Sequence, residues 1–125
     1  MARVLVVEDD RVIRELLVVN LEMEGHEAFT AADGTSALTA VTEHRPDIVL
    51  LDMMLPGIDG WEVASRLKRA AATSAIPIVA LSARAMQSDI ERGLALGVDR
   101  YVTKPFDPIE LMQLVASLTP VGGTE

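Results

Sequence analysis

The chain has 125 residues, no cysteine and a formal net charge of −8. That suits one domain whose core needs no disulfide, and it leaves no thiolate metal site. So acidic a chain, with only Phe29, Trp61, Tyr101 and Phe106 aromatic, argues against direct nucleic-acid binding, which rests on Lys, Arg and stacking rings. Val4–Val7 is too short for a signal-peptide core, and no apolar run approaches the ~20 residues of a membrane span. A cytoplasmic protein that stays off the membrane is therefore expected.

Arg3–Val7 reads as a first strand, a continuous apolar run that stops at Glu8-Asp9-Asp10. From Arg11 to Met23 the spacing of Ile13, Leu16, Leu17, Asn20, Leu21 and Glu24 predicts a helix, closed by Gly25. Glu27–Ala31 is a short second strand, the weakest of the set. Asp33 or Thr35 then caps a helix to about Glu43, and His44-Arg45-Pro46 breaks it. Residues 47–52 give a third strand, apolar on both faces and ending on a carboxylate. After the Pro56–Gly60 loop, Asp59 caps a helix from Trp61 to about Ala70. Residues 76–81 form a fourth strand ending at Ser82, with Pro77 near its start, where a strand tolerates proline. A helix from about Met86 to Leu96 is closed by Gly97. Arg100–Thr103 is a fifth strand, followed by Lys104-Pro105. Asp107 and Pro108 open a last helix to about Leu118, as N-cap and first helical residue. Strand and helix alternate five times, which predicts an α/β fold with a doubly wound parallel sheet and helices on both faces. A domain over residues 1–119 is expected, with 120–125 a flexible tail or the stub of a linker.

The strand ends carry the chemistry. Glu8 and Asp9, then Asp52, Ser82 and Lys104 stand where an open α/β sheet places its ligands. If the first and third strands are neighbours, three carboxylates crowd into one crevice. Such a cluster raises a pKa or binds a cation. Oxygen ligands suit Mg²⁺, and a carboxylate beside it can attack a phosphoryl group. Lys104 adds a positive charge and Ser82 a hydroxyl.

The runs Val-Val-Glu8-Asp9-Asp10, Leu-Leu-Asp52-Met-Met-Leu-Pro-Gly-Ile-Asp-Gly, Ala-Leu-Ser82-Ala and Tyr101-Val-Thr-Lys104-Pro105-Phe resemble the signature set of response-regulator receiver domains, chemotaxis regulators among them. The likeness runs to about Leu118. It implies a flavodoxin-like (βα)5 fold with strand order 2-1-3-4-5. It implies Asp52 as phosphoacceptor, Ser82 as switch hydroxyl and Lys104 as the cation on the phosphoryl oxygens. Mg²⁺, or Mn²⁺ in its place, would be held by Asp9, Asp52 and the Met54 backbone carbonyl, with Glu8 acting through water. Tyr101 would be the switch aromatic, and the Lys104–Pro105 peptide would be cis. The partners implied are a histidine kinase or histidine phosphotransfer protein and a downstream effector, with a monomer expected before phosphorylation. Such a protein catalyses its own modification only and is not a turnover enzyme.

Two positions depart from the family's best-known pattern. Met54 and Arg84 stand two residues past Asp52 and Ser82, where they flank the path of a hydrolytic water. Met54 cannot orient a water, so slow self-dephosphorylation is expected. The last helix holds no Lys or Arg, which disfavours a dimer built on charge pairs there, and Ala83-Arg84-Ala85-Met86 looks more like single-domain and hybrid-kinase receivers. Val12 and Ile13 lie beside the acids, where a partner's helix bundle could dock. Trp61 is expected to pack, and His26 and His44 to be loop histidines at the surface without partners. An unphosphorylated scaffold on the same fold would lack one of the acids or the lysine, and none is missing. A flavin carrier would need a Ser/Thr/Gly loop after the first strand. An aspartyl phosphatase would need an acid at position 54.

Overall fold

The computed structural model of the chain describes residues 2–84 and 86–119. The sequence expectation of a tail at 120–125 lies outside these residues. The elements are β1 (Arg3–Val7), α1 (Arg11–Met23), β2 (Glu27–Ala31), α2 (Gly34–His44), β3 (Ile48–Asp52), α3 (Gly60–Arg69), β4 (Ile78–Ser82), α4 (Gln87–Ala95), β5 (Arg100–Thr103) and α5 (Pro108–Leu118). The strands form one parallel sheet in the order β2-β1-β3-β4-β5, as the resemblance implied.

Each strand side chain takes one face or the other, because the pleat alternates. Leu5, Val7, Val49, Leu51 and Ala80 pack under α2 and α3, with Ala37, Val41, Val63 and Leu67. Val4, Val6, Leu50, Val79 and Leu81 pack under α1 and α5, with Leu17, Leu21, Leu111 and Val115. Both faces are covered, which is why β3 and β4 are buried along their whole length. The register sets Val7 beside Leu51, Asp52 beside Leu81 and Ser82 beside Thr103. The carboxyl ends of the strands therefore finish close together.

Several boundaries and faces differ from the sequence expectation. β3 begins at Ile48, because Asp47 is used outside the ladder. Its carboxylate accepts the Arg3 N–H at 2.8 Å, and its own N–H donates to the Arg3 carbonyl at 2.7 Å. β4 begins at Ile78. The Ile76 N–H closes a turn onto the Thr73 carbonyl, and Pro77 has no N–H to give. α4 starts at Gln87, with Met86 as an N-cap that makes no side-chain bond. In α1, Leu17 and Leu21 are buried but Leu16 is 43 % exposed. Helical spacing fixes which residues share a face, and only packing shows which of those faces turns inward.

The histidine expectation is corrected in part: His26 lies in the loop between α1 and β2, but both rings are partly buried and have partners. His44 is the last residue of α2 and stacks on Phe29 with ring centroids 4.0 Å apart. His26 is partly buried, and its Nδ1 accepts the Ala2 N–H at 3.1 Å. Burial of this ring pushes its pKa down. Trp61 packs as expected. It is buried in the core and lies under the Arg92 guanidinium at 4.2 Å.

Candidate functional site

The site begins where β1 runs out. The Glu8 N–H still donates to the Ala31 carbonyl at 3.0 Å, which prolongs the ladder by one residue and turns Glu8 into the fold. Glu8 is completely buried. Its carboxylate accepts the Asp10 N–H at 3.1 Å, and its carbonyl accepts from Arg14 at 2.9 Å. Asp10 caps α1, accepting the Val12 and Ile13 N–H groups at 2.9 and 3.1 Å. That leaves Asp9 exposed at the mouth.

Asp52 is the last residue of β3 and is only 2 % exposed. The Met54 N–H donates to its Oδ1 at 2.9 Å. The Met53 N–H donates to the Leu81 carbonyl at 3.0 Å and holds the strand end down. Glu8, Asp9 and Asp52 each offer a carboxylate oxygen within 4.8 Å of the others. Lys104 arrives from beyond β5, across a cis Lys104–Pro105 peptide. Its backbone N–H donates to the Ser82 carbonyl at 2.8 Å. Its Nζ lies 2.8 Å from Glu8 Oε1 and 3.5 Å from Asp52 Oδ2. Ser82 ends β4 fully buried, with its Oγ accepting the Arg84 N–H at 3.1 Å. Tyr101 donates its hydroxyl to the Arg84 carbonyl at 3.0 Å.

Burial pushes the Asp52 carboxyl up to about 7, and the nearby Glu8 adds to the rise. The Met54 N–H and Lys104 pull the other way and do not cancel it. Burial also disfavours the Lys104 ammonium, but Glu8 and Asp52 beside it outweigh that effect and raise its pKa. The site therefore holds more negative charge than one lysine neutralises. An all-oxygen donor set of this kind fits a hard divalent cation that keeps part of its water. The chemistry it can support is attack by one carboxylate oxygen, with cations placed to receive the charge of the group transferred.

The site residues expected from the sequence lie at this one edge or on the loops leading from it, except Tyr101, which sits inside β5 beside Ala80 and reaches the Arg84 loop through its hydroxyl. Met54 is half exposed, at 53 %, and lines a cleft with Asp9, Trp61, Arg84 and Arg92. Of the two α1 residues, Val12 is 75 % exposed, while Ile13 is partly buried against the core.

The response regulator receiver domain family matches residues 4–116. This chain belongs to that family. Among curated relatives, the receiver is 48 % identical over 113 residues to the DNA-binding response regulator MtrA of Mycolicibacterium paratuberculosis, covering 90 % of this chain and 49 % of that protein. The chain thus spans about half the length of the curated relatives it matches. Among solved structures it resembles the chemotaxis protein CheY4 of Vibrio cholerae, with a TM-score of 0.88 and 30 % identity over 94 % of this chain and 98 % of that one. It also resembles the receiver domain of a sensor histidine kinase from Pseudomonas aeruginosa, solved with a magnesium ion coordinated in its active site cleft. That match has a TM-score of 0.85 and 31 % identity and covers 94 % of this chain and 96 % of that one. Receivers are signalling switches and not turnover enzymes, and they bind Mg²⁺ in an acidic pocket. The relatives include DNA-binding regulators as well as a kinase receiver, so the likeness of the loop after Ser82 does not fix the kind of parent protein.

Sequence reasoning missed two residues of this receiver. Gly60 packs so tightly that a Cβ there would overlap the Met53 Cα and lie 2.5 Å from the Asp52 carbonyl oxygen. The only signal was a glycine directly after a helix cap. Asp89 is buried in the first turn of α4, with Arg84 3.3 Å from its Oδ1. Nothing in a polar stretch of sequence marks such a carboxylate as buried.

Proposed function

We propose that this receiver takes a phosphoryl group from the phosphohistidine of a kinase or phosphotransfer protein onto Asp52. The observation that carries the reading is the geometry of one buried carboxylate with Glu8, Asp9 and Lys104 gathered around it. Asp9, Asp52 and the Met54 carbonyl would hold Mg²⁺. Glu8 acts through water, since its oxygens already accept from Lys104 and the Asp10 N–H. Bound Mg²⁺ supplies charge neutralisation for the acids and the phosphoryl oxygens. An Asp52 oxygen forms the new bond to phosphorus, and the donor nitrogen leaves with the electron pair of the old one. The Met54 N–H keeps the carboxylate oriented, and burial keeps water from it. Lys104 then turns from Glu8 and Asp52 to the phosphoryl oxygens. Ser82 gives up the Arg84 N–H and donates its hydroxyl to the same oxygens. The Arg84 loop shifts, Tyr101 loses its acceptor and swings, and the surface of α4, β5 and α5 favours a different partner. The downstream partner is a protein effector, in a single-domain regulator or in a longer protein of which residues 1–119 are the receiver. The net charge of −8 gives this domain no direct role on nucleic acid.

The test is intact mass after incubation with an acyl phosphate, with and without Mg²⁺. One phosphoryl mass should appear only with Mg²⁺ and be lost in Asp52→Asn. Equal gains in both proteins would remove Asp52 from its role, and no gain in either would leave the fold as an unphosphorylated binding module.

Two further results are expected. Met54→Asn should speed dephosphorylation of the purified phosphoprotein several-fold, because an amide beside the cleft can orient water where a thioether cannot. No acceleration would put the barrier elsewhere. On α1, Val12, Leu16, Val19 and Met23 form an exposed apolar stripe at helical spacing, leading away from the acids. Val12→Asp should slow transfer from a phosphohistidine protein about ten-fold and leave labelling by a small acyl phosphate unchanged. Equal slowing with both donors would mean damage to the site and not to docking.

A further inference from the structure

The buried residues of α4 are Asp89 and Gly93, so no large apolar side chain fully anchors this helix. Leu94 is half exposed. The N-cap Met86 makes no side-chain bond. What the first turn does carry is the Asp89 carboxylate. Its Oδ1 pairs with the Arg84 guanidinium at 3.3 Å, and its buried Oδ2 has no hydrogen-bond partner among the described residues. Among these residues Arg84 is thus the one cation on a buried carboxylate that is otherwise half satisfied, so the position of Arg84 and the state of Asp89 are tied together.

Arg84 is also where the two switch side chains meet. Its N–H is held by Ser82 and its carbonyl by Tyr101. Its side chain lines the same cleft as Asp9 and Met54. One residue therefore touches the end of β4, the start of α4 and the aromatic of β5.

We propose that Asp89 is a positioning residue that parks the Arg84 guanidinium on α4, away from Asp52, and that a phosphoryl group on Asp52 competes with Asp89 for this cation. The inference rests on Asp52 as phosphoacceptor and adds the counter-ion that regulates that site. A phosphoryl dianion carries about twice the charge of a carboxylate and accepts a guanidinium through two oxygens, whereas Asp89 engages Arg84 through Oδ1 alone. When Arg84 moves, α4 loses its charged tether at the moment Ser82 leaves the Arg84 N–H. Phosphorylation and the position of α4 are then coupled through one side chain. The coupling is reciprocal, so a partner that holds Arg84 on Asp89 weakens the phosphoryl state.

The test is a double-mutant cycle read as affinity for beryllofluoride, a mimic of the phosphoryl group, in the presence of Mg²⁺. Fluorescence of Trp61, which lines the cleft, reports binding. Asp89→Asn should tighten binding about five-fold by releasing Arg84. In an Arg84→Gln background the same change should have little effect, because a side chain that acts only through Arg84 has nothing left to act on. In an Arg84→Lys background only part of the gain should remain, because an ammonium keeps the charge but not the two-oxygen pairing. Unfolding midpoints of the ligand-free proteins serve as the control for folding, and Asp89→Ser repeats the cycle if the Asn variant does not fold. An equal gain with and without Arg84 would overturn the proposal, as would no gain in a stably folded Asp89 variant. A wild-type protein that fails to bind beryllofluoride would overturn the phosphoacceptor reading itself. Binding by the wild type with additive mutant effects would overturn this inference alone.

Discussion

Asp52→Asn should make the metal-free protein more stable at pH 8, by about 1–2 kcal/mol once solvent screening at the open mouth of the site is allowed for. The reason is that the folded state holds this carboxyl against its preference. Its pKa rises from 3.8 in the absence of the fold to about 7 within it, through burial first and Glu8 second. The folded protein therefore binds a proton more tightly than the unfolded chain does. Below about pH 4 both states keep the proton, and Asn and Asp should be nearly equivalent at this site. As pH rises toward 7 the unfolded chain gives up its proton and the folded one resists, so wild-type stability falls relative to the variant. Above 7 the difference is complete. Added Mg²⁺ should narrow it, since a dication held by Asp9 and Asp52 would offset the burial and the Glu8 charge that disfavour the Asp52 carboxylate. Urea unfolding of both proteins across this range, with and without Mg²⁺, checks the sign and the window. A wild type more stable than Asp52→Asn at pH 8 without metal would mean that Lys104 overcompensates the acids.

Gly60→Ala should cost on the order of 2–3 kcal/mol and abolish labelling of Asp52. Helix propensity alone points the other way, because alanine is favoured over glycine in a helix by about 1 kcal/mol. The structure reverses the sign. Gly60 is the first residue of α3, and its N–H donates to the Met53 carbonyl at 3.2 Å. Its Cα lies against the backbone of Met53 and Asp52, and a backbone cannot rotate out of the way as a side chain can. The added methyl must push α3 off the sheet or displace the phosphoacceptor. Thermal unfolding gives the first quantity and intact mass after treatment with an acyl phosphate gives the second. An alanine variant as stable and as readily labelled as the wild type would show that α3 can slide without moving Asp52.

The parts legible in the sequence are those that depend on local pattern. The run Ile48–Leu51, apolar on both faces, marks a central strand because only a doubly covered sheet buries both sides of the pleat. Asp59 and Asp107 were readable as caps, and Asp33 as one of two candidates, because a carboxylate before a helix meets free N–H groups, and all three do so here, as does Asp10. The spacing of acids and lysine along the chain placed them at strand ends, and the parallel topology then gathers those ends at one edge. What stayed hidden depends on contacts between distant elements. Leu16 obeys the same helical spacing as Leu17 yet faces outward. Asp89 sits in a polar stretch yet is buried under a loop arginine. His26 and His44 acquire partners, in Ala2 and Phe29, only when β1, β2 and α2 come together. Gly60 is tight only because Asp52 is there.

The central claim is that a single oxygen nucleophile, Asp52, receives the phosphoryl group. Borohydride reduction of the freshly phosphorylated protein converts an aspartyl phosphate to homoserine, and a peptide map then shows which residue carried it. The account predicts homoserine at position 52 and at no other acid. Homoserine at position 9, or a phosphate that survives reduction on the Ser82 hydroxyl, would contradict it.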